Sequence, residues 1–326
     1  MTGGPGARHL WLAAGVSLLV AAALGGLGLA VLRPDSALHA APGGAGPGSA
    51  GSSATLSGLP PAPGASTSAL PSATTPASPT KAPTSPPRTA AAPARFATLR
   101  PGAAPPSGSQ CAAWVRARPY PENKGANRTY NQAQGHGISA DLFSGDDARA
   151  RTRIAPRVDG AFTGTTGQIL RWVACKWGID EDYVKAQAAI ESWWQQNTKG
   201  DWGTDAAACP PGHGLGADGR PGQCPQSFGV LQTRYPYMQS GWPGIGRSTA
   251  MSADLAYAIW RACFEGYEGW LNTVERGRDY AAGDAWGCMG RWFSGRWYTQ
   301  PANDYLARLR DYHDRRIWET PDFQQP

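Results

Sequence analysis

Residues 180–194 read DEDYVKAQAAIESWW. Asp180 supplies an N-cap, and Glu181 and Asp182 fill the first turn, where the positive end of a helix dipole favours acids. The pattern predicts a helix from Glu181 to about Trp194. Val184, Ala188 and Glu191 share one stripe, with Gln187 as a polar neighbour; Tyr183, Ala186, Ile190 and Trp194 form an adjoining apolar stripe. Burial beside Trp193 and Trp194, and the negative end of the helix, both disfavour a charged carboxylate at Glu191. A carboxylic acid kept neutral near pH 7 is the proton donor that glycosidic bond cleavage uses. The same residues also fit a surface Glu at a frayed helix end, and Gln187 one turn back suits that reading.

Three further helices flank this one. Gly167–Trp177 carries Ile169, Trp172, Val173 and Trp177 at helical spacing and stops at Gly178. A helix from Ala253 to about Gly266 takes Ser252 as N-cap and buries Leu255, Ile259, Ala262 and Cys263. A helix from Asp304 to Trp318 shows Tyr305, Leu309, Tyr312 and Arg316 at helical spacing. No period-2 strand pattern and no internal repeat is visible. The expected fold class is mainly α, with long loops stapled by disulfides.

Six cysteines, all between Cys111 and Cys288, imply a disulfide framework with 15 possible pairings. Cys209 and Cys224 bracket a Gly/Pro loop with nothing of its own to pack, so they are paired with each other. Cys263 with Cys288 and Cys111 with Cys175 complete the expected set. The chain contains no CxxC and no HxxxH, which argues against zinc. No metal and no cofactor is expected.

Upstream, the composition changes. Residues 33–108 hold 16 of the 29 Pro and few large apolar side chains. Such a segment cannot offset its own ordering entropy and is expected to be a disordered, extended linker. The foldable block is then 109–326, one domain with one core. Residues 10–32 form an uncharged apolar run that as a helix would span about 34 Å, against a bilayer core of about 30 Å. A membrane anchor at 10–32, preceded by a cytoplasmic tip at 1–9, is favoured over a cleaved signal because signal cores are shorter. Either reading places the block outside the cytoplasm, anchored in the cell envelope or secreted, in accord with the disulfides. The net charge of +6 resides mostly before residue 109, so the block itself is nearly neutral and a nucleic-acid groove is not indicated.

Ile190-Glu191-Ser192 followed by SFGVLQ at 227–232 resembles the goose-type lysozyme and soluble lytic transglycosylase superfamily. There a helix carries the catalytic Glu, often followed by Ser, and an S-x-G-L-M-Q motif comes some tens of residues later. Here Gly229-Val230-Leu231-Gln232 stands in for Gly-Leu-Met-Gln. The third family motif, Ala-Tyr-Asn-x-Gly, would fall at Arg291–Gly295, where only Gly295 matches outright. The resemblance covers residues 165–318 and implies a lysozyme-like domain.

By that resemblance, Glu191 protonates the glycosidic oxygen and then acts as base. Ser227 and Gln232 position the sugar or the Glu, and Trp292 and Phe293 line the cleft. The implied partner is the glycan strand of peptidoglycan, cut between N-acetylmuramic acid and N-acetylglucosamine by a monomeric enzyme. A transglycosylase needs one carboxylate, since the muramoyl C6 hydroxyl attacks internally; a muramidase that activates water would want a second. Asp201, Asp205 and Asp284 are the candidates for it. A catalytically silent glycan-binding module on the same fold is the alternative from another class. Thirteen of the 14 Trp lie after residue 108; Trp172, Trp177 and Trp260 suit the core. Trp194, Trp202, Trp242, Trp292 and Trp297 are divided between cleft and core.

Overall fold

The computed structural model describes residues 93–324. The expected tip, membrane segment and most of the expected linker lie outside the described residues. Among the described residues no helix is long and apolar enough to cross a membrane. The fold is mainly helical. Six longer helices carry it: α1 (Gly108–Arg116), α2 (Thr166–Trp177), α3 (Glu181–Ser192), α4 (Thr249–Phe264), α5 (Ala285–Ser294) and α6 (Gln300–Asp314).

Every residue of α4 is buried. A helix that is apolar nearly all round can only be central, and α2 and α5 pack against it. Asp254 and Arg261 are its two charged residues, both buried; Asp254 sits in its first half. It accepts from Lys176 Nζ at 2.7 Å, from Trp177 Nε1 at 2.8 Å and from two backbone N–H groups. These contacts tie α2 to α4 and satisfy a fully buried carboxylate.

Two helix starts differ from expectation. α4 begins at Thr249 with Ser248 as N-cap, its hydroxyl accepting from Met251 N. Ser252 lies inside the helix, fully buried. α6 begins at Gln300 instead of Asp304, with Pro301 in its first turn. Proline is tolerated there because its missing N–H has no helical partner. The predicted start of α3 holds: Asp180 accepts from Asp182 N as N-cap. α2 also ends as predicted, with Gly178 left-handed at φ 61°.

Thr165 closes a capping box at the head of α2. Its hydroxyl accepts from Gln168 N, and Gln168 Oε1 accepts from Thr165 N. Thr165→Ala is expected to cost about 1–2 kcal/mol, read as a lower urea midpoint; an unchanged midpoint would show that the box is dispensable.

The linker boundary needs correction. Residues 93–107 were assigned to the disordered segment, yet they lie against the helices. Phe96 is buried and stacks on Trp114. Leu99 N donates to Gly178 O, Glu181 N donates to Phe96 O, and Arg95 pairs with Asp180 and Asp182. The buried Arg261 guanidinium also donates to Leu99 O, Arg100 O and Ala103 O, and Gly102 N donates to Glu265, so the strap is held although its Pro/Ala composition resembles the linker's.

All three expected disulfides are present. Cys111–Cys175 joins α1 to α2, Cys263–Cys288 joins α4 to α5, and Cys209–Cys224 closes the Gly/Pro loop. A small antiparallel sheet departs from the strand-free expectation. It runs β1 (Lys199–Gly200), β2 (Ser227–Phe228) and β3 (Thr233–Arg234) in that order. Two-residue strands are too short to show alternation in sequence.

Candidate active site

The site forms where α3 ends. Trp193 and Trp194 follow Ser192 and both adopt left-handed backbone, at φ 56° and 62°. Two bulky residues in that region are strained. They are held by the Trp194 indole, fully buried with Nε1 donating to Lys185 O, and by backbone bonds from Trp193 and Trp194 back into α3. This reversal leaves Glu191 on the last turn, half-buried, facing α6.

The hairpin β2–β3 is fastened to the same turn. Ser192 Oγ donates to Val230 O at 2.9 Å, and Val230 N donates to Gln196 Oε1 at 3.0 Å. Gly229 takes φ 81°, and a Cβ there would stand 2.6 Å from Gln196 Nε2 and 2.7 Å from Ser252 Oγ. Both the conformation and the space therefore call for glycine. Gln232, also left-handed, donates to Gly229 O at 2.9 Å and to Thr198 O at 3.3 Å. Its amide holds the hairpin turn onto the segment leading into β1.

Glu191 Oε1 accepts a 2.6 Å hydrogen bond from the Tyr305 hydroxyl on α6. Burial pushes the Glu191 carboxyl up to about 7, the Tyr305 bond opposes that, the Asp201 charge adds to it and Arg308 subtracts from it. Near neutral pH this group therefore exists as both acid and carboxylate. Tyr305 is buried, and its ring lies flat on Phe293, centroids 4.6 Å apart with planes 5° apart. Phe293 is 48% exposed, so an aromatic face next to the Glu191–Tyr305 pair is open to solvent.

Asp201 follows β1 in left-handed backbone. The Ser227 hydroxyl donates to its carboxylate, and Arg234 Nε stands 3.8 Å away. The other two candidate carboxylates are engaged elsewhere. Asp205 caps the turn Ala206–Ala208. Asp284 caps α5, pairs with Arg278 and accepts from the Tyr298 hydroxyl.

Of the residues singled out in the sequence, the fold links Glu191 to Phe293 through Tyr305, and Ser227 to Asp201. Gln232 bonds only to backbone, in its own hairpin and at Thr198 before β1, and Trp292 is half-buried against the core. Trp172, Trp177 and Trp260 are core residues as expected; Trp194 and Trp297 join them, whereas Trp202, Trp242 and Trp292 keep partial exposure. Tyr305 carries no motif beyond its helical spacing, and nothing in the sequence singles out Tyr257. The available signal was a tyrosine on an apolar helix face, whose hydroxyl needs a partner when buried.

Comparison with family models, curated proteins and solved structures returns no match for this chain.

Proposed function

We propose that this chain cleaves the β-1,4 bond between N-acetylmuramic acid and N-acetylglucosamine in peptidoglycan, with Glu191 as general acid and then general base. The observation that carries the reading is Glu191 itself: a half-buried carboxyl raised to about 7, with Tyr305 held 2.6 Å from one of its oxygens. A carboxylic acid poised there keeps its proton until a glycosidic oxygen is presented to it. The open face of Phe293 offers a sugar ring an apolar surface beside the acid.

In the transglycosylase form, Glu191 gives its proton to the glycosidic oxygen and the N-acetylglucosamine end departs. The resulting carboxylate takes the proton of the muramoyl C6 hydroxyl as that oxygen bonds to C1. The carboxyl is restored and a 1,6-anhydro end remains. One carboxylate completes the cycle.

A second reading, a muramidase, draws support from Asp201. Its charge acts on Glu191 and the Ser227 hydroxyl holds its carboxylate. A muramidase that activates water uses a second carboxylate of this kind.

The test is incubation of the full-length chain with purified sacculi, followed by mass spectrometry of the released fragments. The expected fragments are lighter by one water than hydrolysed muropeptides. Fragments of full hydrolysed mass favour the Asp201 reading. Binding without release favours the glycan-binding module and overturns the enzyme.

A further inference from the structure

A cavity of about 200 Å³ lies between the strap, at Gly102–Pro105, and the ends of α2 and α4. Its inner wall is apolar: Trp177, Ile154 and Tyr267 line it and are all buried. It reaches solvent beside Gly102 and Arg153, which are exposed. None of its lining residues belongs to the Glu191 site.

Three guanidiniums and one carboxylate complete the lining. Arg261 and Glu265 satisfy one another. Arg261 Nε donates to Glu265 Oε1 at 2.8 Å, and its other N–H groups go to Glu265 and to carbonyls of the strap and the end of α2. Glu265 Oε2 accepts from Gly102 N at 2.7 Å. Arg157 is less well provided. Its Nη2 donates to Pro106 O at 2.8 Å and to Lys176 O at 2.7 Å. Its buried Nε has no partner among the described residues, and no hydrogen bond from its Nη1 is seen among them. A guanidinium carries five N–H groups and stays charged, so donors remain over. Burial weighs against this cation, and so does the Arg261 charge; Asp254 and Asp159 favour it. Both of those acids are bonded to Lys176 instead. Among the described residues no carboxylate forms an ion pair with Arg157.

We propose that this cavity binds a small organic carboxylate, its charged end on Arg157 and Arg153 and its aliphatic stem against Ile154, Trp177 and Tyr267. A carboxylate there gives Arg157 the charge-assisted partner that the fold leaves out. Glu265 remains in the wall and repels a second negative charge, so a monoanion suits the site better than a phosphate monoester. The cavity is several times the ~30 Å³ share of one water, so it has room for a stem behind the charged group. A free short-chain acid and the C-terminal end of a peptide share this chemistry. The inference does not depend on the reading of Glu191 as an acid.

The test is isothermal titration calorimetry of the full-length chain at low ionic strength, with acetate, butyrate and butyramide as probes. Butyrate is expected to bind about tenfold more tightly than acetate, since it buries two more methylenes. Butyramide keeps the shape without the charge and is expected to bind about tenfold more weakly than butyrate, or worse. Arg157→Lys keeps the charge but loses the planar fork, and should weaken butyrate by about tenfold. Arg153→Gln alters an exposed side chain and should weaken it by about threefold; it decides the matter if Arg157→Lys does not fold. Butyramide matching butyrate removes the charge from the proposal and overturns it. Acetate matching butyrate removes the stem and overturns it too. So does the absence of binding heat with butyrate up to about 50 mM, or an affinity for butyrate unchanged in either folded variant. N-acetylalanine separates the two sources: tighter binding than butyrate supports a peptide end, and weaker binding supports a free acid.

Discussion

Glu191→Gln is expected to slow fragment release from sacculi by about 10²–10⁴-fold, with folding intact. Gln keeps the shape of Glu and an oxygen that still accepts from Tyr305, so the contact at 2.6 Å survives. It has no proton to give a leaving oxygen and no charge with which to take one back. Stability moves the other way. The wild-type carboxyl is raised from its ordinary value of 4.5 to about 7, so the folded state binds a proton between those pH values that the unfolded state does not. Its stabilising contribution is present below pH 4.5 and is lost as pH rises through about 7. Gln carries no such dependence, and at pH 8 the variant is expected to melt no lower than the wild type. The wild-type rate should also fall above about pH 7 as the acid ionises. Release by the variant within twofold of the wild type, at equal protein concentration, would remove Glu191 from the chemistry.

Much of this site was legible because its elements are local. Asp180, Glu181 and Asp182 start α3, and Gly178 ends α2. Of the three disulfides, only Cys209–Cys224 followed from an argument, the Gly/Pro loop it closes; the pairings Cys111–Cys175 and Cys263–Cys288 matched without one. What was not legible is non-local. Tyr305 is 114 residues from Glu191 and Tyr257 is 70 from Gln187; no short-range pattern encodes either contact. Gln187 argued for an exposed helix face when read alone, whereas in the fold it is buried and accepts from the Tyr257 hydroxyl. Asp201, Asp205 and Asp284 were indistinguishable as a set, since their roles depend on which backbone N–H or hydroxyl each one meets. The strap at 93–107 is hidden by its linker-like composition because its holds are non-local: the Phe96 ring, the Arg95 ion pairs, and the Arg261 guanidinium, which comes from α4 to bond its carbonyls.

Arg291→Met should destabilise the fold strongly at alkaline pH and much less at acid pH. Arg291 on α5 holds Glu268 at 2.6 Å, Nε to Oε2, and the Glu268 side chain has almost no exposed surface. Among the described residues Glu268 Oε1 has no hydrogen-bond partner. Asp146 is the second carboxylate of this cluster, bonded to Trp270 Nε1 at 2.9 Å. Burial outweighs the guanidinium at both acids: Glu268 is pushed from its ordinary 4.5 to about 8, and Asp146 from 3.8 to about 6. Both raise in the folded state, so their contributions are present at low pH and decline as pH climbs through those values. Arg291 is the cation that limits the decline. Its removal strands a buried carboxylate, which costs about 3–5 kcal/mol when ionised. At pH 5 the same carboxyl can hold a proton, and only the lost packing of the Arg stem remains. Circular dichroism melts at pH 5 and pH 8.5 are the measurement. The expected drop at pH 8.5 is on the order of 10 °C for a domain of this size, and less than half that at pH 5. Equal drops at the two pH values would mean that Arg291 acts by packing and that its charge on Glu268 does not matter. Because α5 also presents Phe293 to Tyr305, loosening this pair at high pH should weaken the stack next to Glu191 before the whole domain unfolds.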